Sequence, residues 1–136
     1  PVTRKAVRER LDLTVCGVPC AWFHHISPTT REYLKGSGLS ITLGNEQLAA
    51  AKKGMRVPRV LSCAHRHDFD TFRDATGMIA VTPAWQCLTR HGRKVVPQAR
   101  TTVGMIVYDW RGKKDGELPD LHPILCTAPE PAEETL

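Results

Sequence analysis

Short apolar runs, each closed by a turn-forming or polar residue, are the feature that most limits how this chain can fold. They include "CAWF", "RVLSC", "MIAV" and "TTVGMIVYDW". Ten prolines and ten glycines among 136 residues favour short strands joined by turns over a helical bundle. Each run is far shorter than the roughly 18 apolar residues of a membrane-spanning helix. The sequence therefore predicts one globular domain that has no membrane as a partner.

One helix is predicted between two strands. The segment "AVRERLDLTVCGVPCAWFHH" predicts a hairpin with a turn at residues 17–19 and a second strand at residues 20–23. Residues 26–44 contain Ser, Thr, Pro and Gly and predict a loop. "GNEQLAAAKKG" predicts a short helix that Asn45 caps and Gly54 ends. Because "PRVLSCA" then predicts a buried strand, the order is typical of a βαβ unit.

The second half of the chain predicts further strands. "DFDTFRDATG" predicts a polar loop or a hairpin, "MIAVTP" a strand closed by Pro83, and "TTVGMIVYDW" a long strand that pairs with "LHPILC". The predicted fold class is α/β, rich in sheet, with a short helix between strands. Residues 1–126 form the predicted domain, and residues 127–136, which carry three glutamates and no base, predict a disordered tail.

The cysteines and the net charge bear on location and partners. The five cysteines are odd in number and lack a C-x-x-C pair, which favours thiols in a reducing compartment and a cytoplasmic location. A formal net charge of +5 can attract nucleic acid, or can simply keep the domain in solution. Cys16 and Cys20, followed by His24, have zinc-like spacing. Two alternatives therefore stand: a small zinc-binding or HNH-like nuclease module, and a non-catalytic basic interaction domain.

Four of the six histidines lie in two doublets, each just after a predicted strand. The doublets are His24-His25 and His65-x-His67. Side chains at the carboxyl ends of strands in an α/β sheet face the crevice where ligands bind. Imidazole suits zinc, manganese and iron, and two rings two residues apart on an extended chain project to one side. The doublets therefore predict a metal site, with polar surface loops as the alternative.

The same segments resemble the calcineurin-like metallophosphoesterases. "RVLSCAHRH" resembles the Gly-His-x-His motif that follows an apolar strand in that family, and "CAWFHH" resembles its earlier strand-then-His element. "IAVTPAWQ" followed by "TTVGMIVYDW" resembles the C-terminal part of phage and prokaryotic members. The resemblance covers roughly residues 11–126 and implies part of a metallophosphoesterase-like α/β sandwich.

The resemblance implies a two-metal site that hydrolyses phosphomonoesters or phosphodiesters, nucleic acid among them. His65, His67 and one of His24 and His25, preferably His24, would be ligands of Mn, Zn or Fe. Such ions activate water and offset charge on the phosphoryl oxygens. Arg66 would face the phosphate or the solvent. Nearby, Trp85 and Gln86 would pack beneath the site.

This sequence departs from the family pattern in two ways. Ala64 stands where the family has Gly, and alanine resists a positive φ. No Asp-x-His, Gly-Asp or Gly-Asn-His motif precedes His24, so the chain corresponds to the histidine half of the site. A missing N-terminal half or a partner chain would supply the acidic ligands. Asp68, Asp70 and Asp74 are local candidates for a carboxylate, or members of a solvated loop.

Overall fold

The computed structural model describes residues 10–24, 37–64, 69–83 and 102–127. In chain order, these residues form β1 (Arg10–Val15), β2 (Val18–Phe23), α1 (Ser37–Lys52), β3 (Val60–Cys63), β4 (Asp70–Arg73), β5 (Met78–Val81), β6 (Thr102–Asp109) and β7 (Asp120–Thr127). Five strands form one sheet in the order β1-β2-β3-β5-β4, and β6 pairs with β7 in a second sheet. The predicted α/β class is confirmed.

The βαβ unit predicted around the helix is present. β2 and β3 are parallel, with Cys20 opposite Val60, and α1 lies between them in the chain. β3 also pairs in parallel with β5. Every residue of β3 and β5 is buried, because both faces of the central sheet are covered. This explains why their sequences are apolar runs without alternation.

Two apolar clusters lie on opposite faces of the five-stranded sheet. On the helix side, Leu39 and Leu43 of α1 pack among residues of the parallel strands, namely Ala21, Leu61, Cys63, Ile79 and Val81. On the other side, aromatic and aliphatic residues of the β6–β7 hairpin and its connection pack among the alternate residues of the same strands, which are Val18, Cys20, Val60 and Met78. The sheet is therefore the middle layer between one helix and one hairpin.

The helix differs from the prediction at its beginning. It starts at Ser37, so the described residues 37–44, predicted as loop, are helical, and Asn45 lies inside the helix rather than at its cap. Its end was predicted correctly. Gly54 has a φ of +64°, and the amide of Met55 donates to the carbonyl of Ala50 at 3.0 Å. This arrangement is a glycine-terminated Schellman motif, which satisfies the last carbonyls of the helix.

The first hairpin and the segment after residue 69 also differ in detail. The turn of the hairpin lies at Cys16 and Gly17, whose φ values are +46° and +73°, as in the two-residue turns that match strand twist. Val18 and Pro19 belong to β2 rather than to the predicted turn. Of the two forms predicted for "DFDTFRDATG", the hairpin is present, because β4 pairs antiparallel with β5.

Arginine side chains fasten the β6–β7 connection to the amino-terminal end of the parallel strands. Arg59 donates to the carbonyl of Gly116 at 2.8 Å, and Arg73 donates to that of Pro119 at 3.1 Å. The amide of Gly116 donates to the carbonyl of Cys16 at 2.9 Å. These bonds lie at the end of the sheet opposite His24.

Candidate metal centre

The parallel strands β2, β3 and β5 end side by side, and we call this end of the sheet the carboxyl edge. The ladder continues past the last strand residues. The amide of Ala64 donates to the carbonyl of His24 at 3.3 Å, and the amide of Thr82 donates to the carbonyl of Cys63 at 2.7 Å. The Thr82 hydroxyl donates to the same carbonyl at 3.2 Å. The three strand ends are thus held in register where the site was predicted.

One predicted ligand, His24, lies among the described residues, and it stands at this edge. It follows the last residue of β2 and is exposed. His25, His65 and His67 lie outside the described residues, as do Arg66, Asp68, Trp85 and Gln86. Their roles stay predictions.

Ala64 takes a backbone conformation that any residue adopts. Among the described non-glycine residues, Cys16 alone has a positive φ. Alanine at this position therefore causes no backbone strain at the end of β3.

The two described acidic candidates are placed very differently. Asp74 lies at the amino-terminal end of β5, where its Oδ1 accepts from the amide of Thr76 at 2.7 Å and from that of Gly77 at 3.1 Å. These hydrogen bonds lower the pKa of the Asp74 carboxyl, those from Thr76 most strongly. Asp74 therefore closes the β4–β5 turn, at the opposite end from His24.

Asp70 does lie at the carboxyl edge, opposite Val81. It is three strand positions from β2 in the sheet order, or about 14 Å at the usual spacing between strands. Its Oδ1 accepts from the amide of Thr71 at 2.9 Å. The short Asp70 side chain cannot reach an ion that His24 ligates. In the part of the chain that the structure describes, no group of three or more His, Cys, Asp or Glu side chains could hold a metal ion.

The prediction of a zinc site formed by Cys16, Cys20 and His24 is wrong. Cys16 lies in the hairpin turn, whereas His24 follows the far end of β2, and the strand between them extends about 17 Å. Cys20 is buried, and burial raises the pKa of its thiol to about 11. A thiol must lose its proton to bind zinc, so neither distance nor ionisation suits one tetrahedral site.

A groove beside His24 was missed by sequence reasoning. Its walls on the hairpin side of the sheet are Leu11 and Trp22, with the shorter side chains of Ser62, Ala64 and Thr82 completing it. The signal in the sequence was the alternation along β2, which puts Trp22 and His24 on one face. Leu11 lies opposite Trp22 on β1, and this position could not be predicted because it depends on the register of the β1–β2 hairpin.

An aromatic ring supports the hairpin side of this region. Tyr108 packs against the cluster formed by Val18, Cys20, Val60 and Met78, and its ring centroid is 6.3 Å from that of Trp110. Burial raises the pKa of the Tyr108 hydroxyl to about 12, and the neighbouring Ser62 hydroxyl opposes part of that rise. Tyr108 therefore stays protonated at neutral pH and serves packing.

Comparison with known proteins leaves the family open. No protein-family model and no curated protein matches the sequence. Among solved structures, the crystal structure of Vps29 from Chaetomium thermophilum is similar, with a TM-score of 0.48 and 13% sequence identity. The match covers 94% of this chain and 65% of that chain, so the chain spans slightly under two thirds of that structure's length. This similarity assigns neither a family nor an activity.

Within the described ranges, no helix has the length and apolar character needed to cross a membrane.

Proposed function

We propose that this chain supplies the histidine half of a metal-dependent phosphoesterase of the calcineurin-like type. The observation that carries the proposal is the hydrogen bond from the Ala64 amide to the His24 carbonyl, 3.3 Å long. It joins the ends of β2 and β3, whose backbones are about 4.8 Å apart at the usual strand spacing. The sequence continues directly from these ends into His25 and into His65-x-His67.

Four imidazoles then follow two neighbouring strand ends, and this supports His24, His25, His65 and His67 as the ligand set. His24 remains preferred over His25. Neutral imidazole suits a divalent Mn, Zn or Fe ion. A bound ion would polarise a phosphoryl oxygen and activate water. The chain's own part is to hold the ligands at a rigid sheet edge, since β3, between β2 and β5, is buried throughout.

The acidic ligands of a two-metal site would come from elsewhere in the proposed assembly. Asp70 lies at the same edge of the sheet as His24 but is too far from it to bind the same ion. Asp74 accepts hydrogen bonds in the β4–β5 turn, at the opposite end of the sheet. The complement is an N-terminal half or a partner chain, and the substrate a phosphomonoester or phosphodiester, nucleic acid included. The cysteine content supports a cytoplasmic location as part of the same proposal.

Metal analysis and hydrolysis of bis-p-nitrophenyl phosphate with Mn²⁺ test the proposal. We expect the purified chain to bind a divalent ion and His65→Ala/His67→Ala to lose most of it. The matched control is His122→Ala, because the His122 side chain is 59% exposed and lies on β7, outside the predicted site. Equal metal content in all three proteins would refute the ligand assignment. Hydrolysis by the chain alone would show that no complement is needed.

A second candidate function, a basic interaction domain, is favoured by the segment that begins at the end of α1. Residues 51–57 are all exposed and include Lys52, Lys53 and Arg56. Exposed cations release counterions from a nucleic-acid backbone, and each phosphate contact contributes about 0.9 to the slope of log K against log salt. Changing all three residues to alanine should lower that slope by roughly 2 to 3 for duplex DNA. An unchanged slope would exclude this segment as the contact surface.

A further inference from the structure

The groove beside His24 is open to solvent and lined mainly by apolar atoms. Its volume is about 340 Å³, within the roughly 300–1,000 Å³ typical of small-ligand pockets. One side is apolar, formed by Leu11 and the half-buried indole of Trp22. The β3 and β5 sides carry Ser62, Ala64 and Thr82, whose short side chains leave space beside the indole.

The register of the strands explains why an apolar wall meets the edge here. Trp22 lies on β2 and His24 directly follows that strand, so about 7 Å of chain separates their Cα atoms. Leu11 is directly opposite Trp22 and is 46% exposed. A bound molecule can therefore contact Leu11 and Trp22 with one end while its other end reaches His24.

We propose that this groove binds the aromatic ring of the organic group of a phosphate ester, with the phosphate directed toward His24. This inference rests on the proposed phosphoesterase function and names the substrate class of that site: aryl or nucleoside esters rather than small aliphatic ones. The Trp22 indole and the short side chains of Ser62 and Ala64 line the same groove, and aromatic side chains are the usual stacking partners of nucleobases. The groove is also continuous with the edge where the phosphate would sit.

The test uses the full chain and p-nitrophenol, which has the ring but no phosphate. Equilibrium dialysis is expected to show about 10-fold weaker binding to Trp22→Ala and to Leu11→Ala, as loss of a stacking wall implies. Leu48→Ala is the matched control, because Leu48 is 53% exposed on α1, which packs on the other face of the sheet. Leu11→Ala keeps the test decisive if Trp22→Ala fails to fold.

The outcomes separate this inference from the proposed function. Selective loss of p-nitrophenol binding, together with a metal content that His65→Ala/His67→Ala leaves unchanged, supports the groove and counts against the phosphoesterase. Hydrolysis of bis-p-nitrophenyl phosphate with the same KM in Leu11→Ala as in the parent chain overturns the groove alone. Absence of p-nitrophenol binding, or equal binding by all variants, also overturns it. The inference is also overturned if p-nitrophenol does not bind and the parent chain is a dimer that Leu11→Ala converts to a monomer. In that case the groove is occupied by a second copy of the chain.

Discussion

Leu43→Ala tests the part of the fold that differs most from expectation, the first turns of α1. Leu43 is 1% exposed and packs among Ala21, Leu61 and Ile79. Replacing it removes three carbon groups, each worth about 0.8 kcal/mol of burial, or about 2.4 kcal/mol together. The cavity left behind adds to this, and buried Leu→Ala changes generally cost about 2–5 kcal/mol. We expect the free energy of unfolding to fall by about 3 kcal/mol.

Urea denaturation followed by far-UV circular dichroism measures this loss. With a slope of about 1–3 kcal/mol per molar urea, the midpoint should shift by roughly 1–3 M. The control is Leu48→Ala, on the same helix but 53% exposed, which should cost less than about 1 kcal/mol. If the two changes cost the same, Leu43 does not pack on the sheet and the helix assignment is refuted.

Three further expectations follow from individual side chains. Hydrogen bonds from Arg111 lower the pKa of Asp109 to about 2, so the stabilisation they give is present above pH 4 and is lost as the pH falls from about 4 to 2. Asp109→Asn should therefore make the urea midpoint depend less on pH over that range, and an unchanged pH dependence would contradict this. Iodoacetamide at pH 8 should label exposed Cys16 and spare buried Cys20, read by peptide mass mapping; equal labelling would show that β2 is not covered. Gly104→Ala should weaken the β6–β7 hairpin, because a Cβ there would lie 2.1 Å from a carbonyl oxygen of β7, and faster amide hydrogen exchange in β6 is the measurement.

The helix shows where local sequence rules fail. Gly38 and Gly44 each cost about 1 kcal/mol relative to alanine inside a helix, and β-branched Ile41 and Thr42 are also poor helix formers. These residues made the segment read as a loop. Burial of Leu39 and Leu43 against the sheet outweighs them, and that burial exists only once β2 and β3 have paired. Gly54 was recognised because its role as a helix terminator is local.

Pro19 illustrates a second limit. A Val-Pro pair after glycine is typical of a turn, yet Pro19 lies in β2 opposite Thr14. Its carbonyl accepts from the amide of Arg59 at 2.8 Å, so its backbone polar groups face β3 rather than β1. The missing amide of proline therefore removes no bond of the hairpin, which the sequence alone does not reveal.

Only the part of the candidate site that lies at the strand ends could be predicted from the sequence. A histidine after an apolar run marks the end of a strand, and parallel pairing then brought His24 beside Ala64 as expected. The carboxylates were not predictable, because the pairing of β4 with β5 decides which edge each occupies. That pairing puts Asp70 at the carboxyl edge and Asp74 at the opposite one, although the two residues are only four positions apart in the chain.

Metal stoichiometry follows from this distribution of charge. Histidines are neutral ligands, and two divalent ions at the usual separation of about 3.5–4 Å in two-metal sites repel each other strongly unless carboxylates lie between them. Asp70 is too far from His24 to share an ion with it, and Asp74 lies at the opposite end of the sheet. Three histidines and water suffice for one tetrahedral zinc ion. The isolated chain should therefore bind at most one equivalent of metal, and a second equivalent should appear only when an N-terminal half or another chain supplies carboxylates. If the isolated chain bound two equivalents of metal and lost both when Asp70 alone was changed, this reasoning would be overturned.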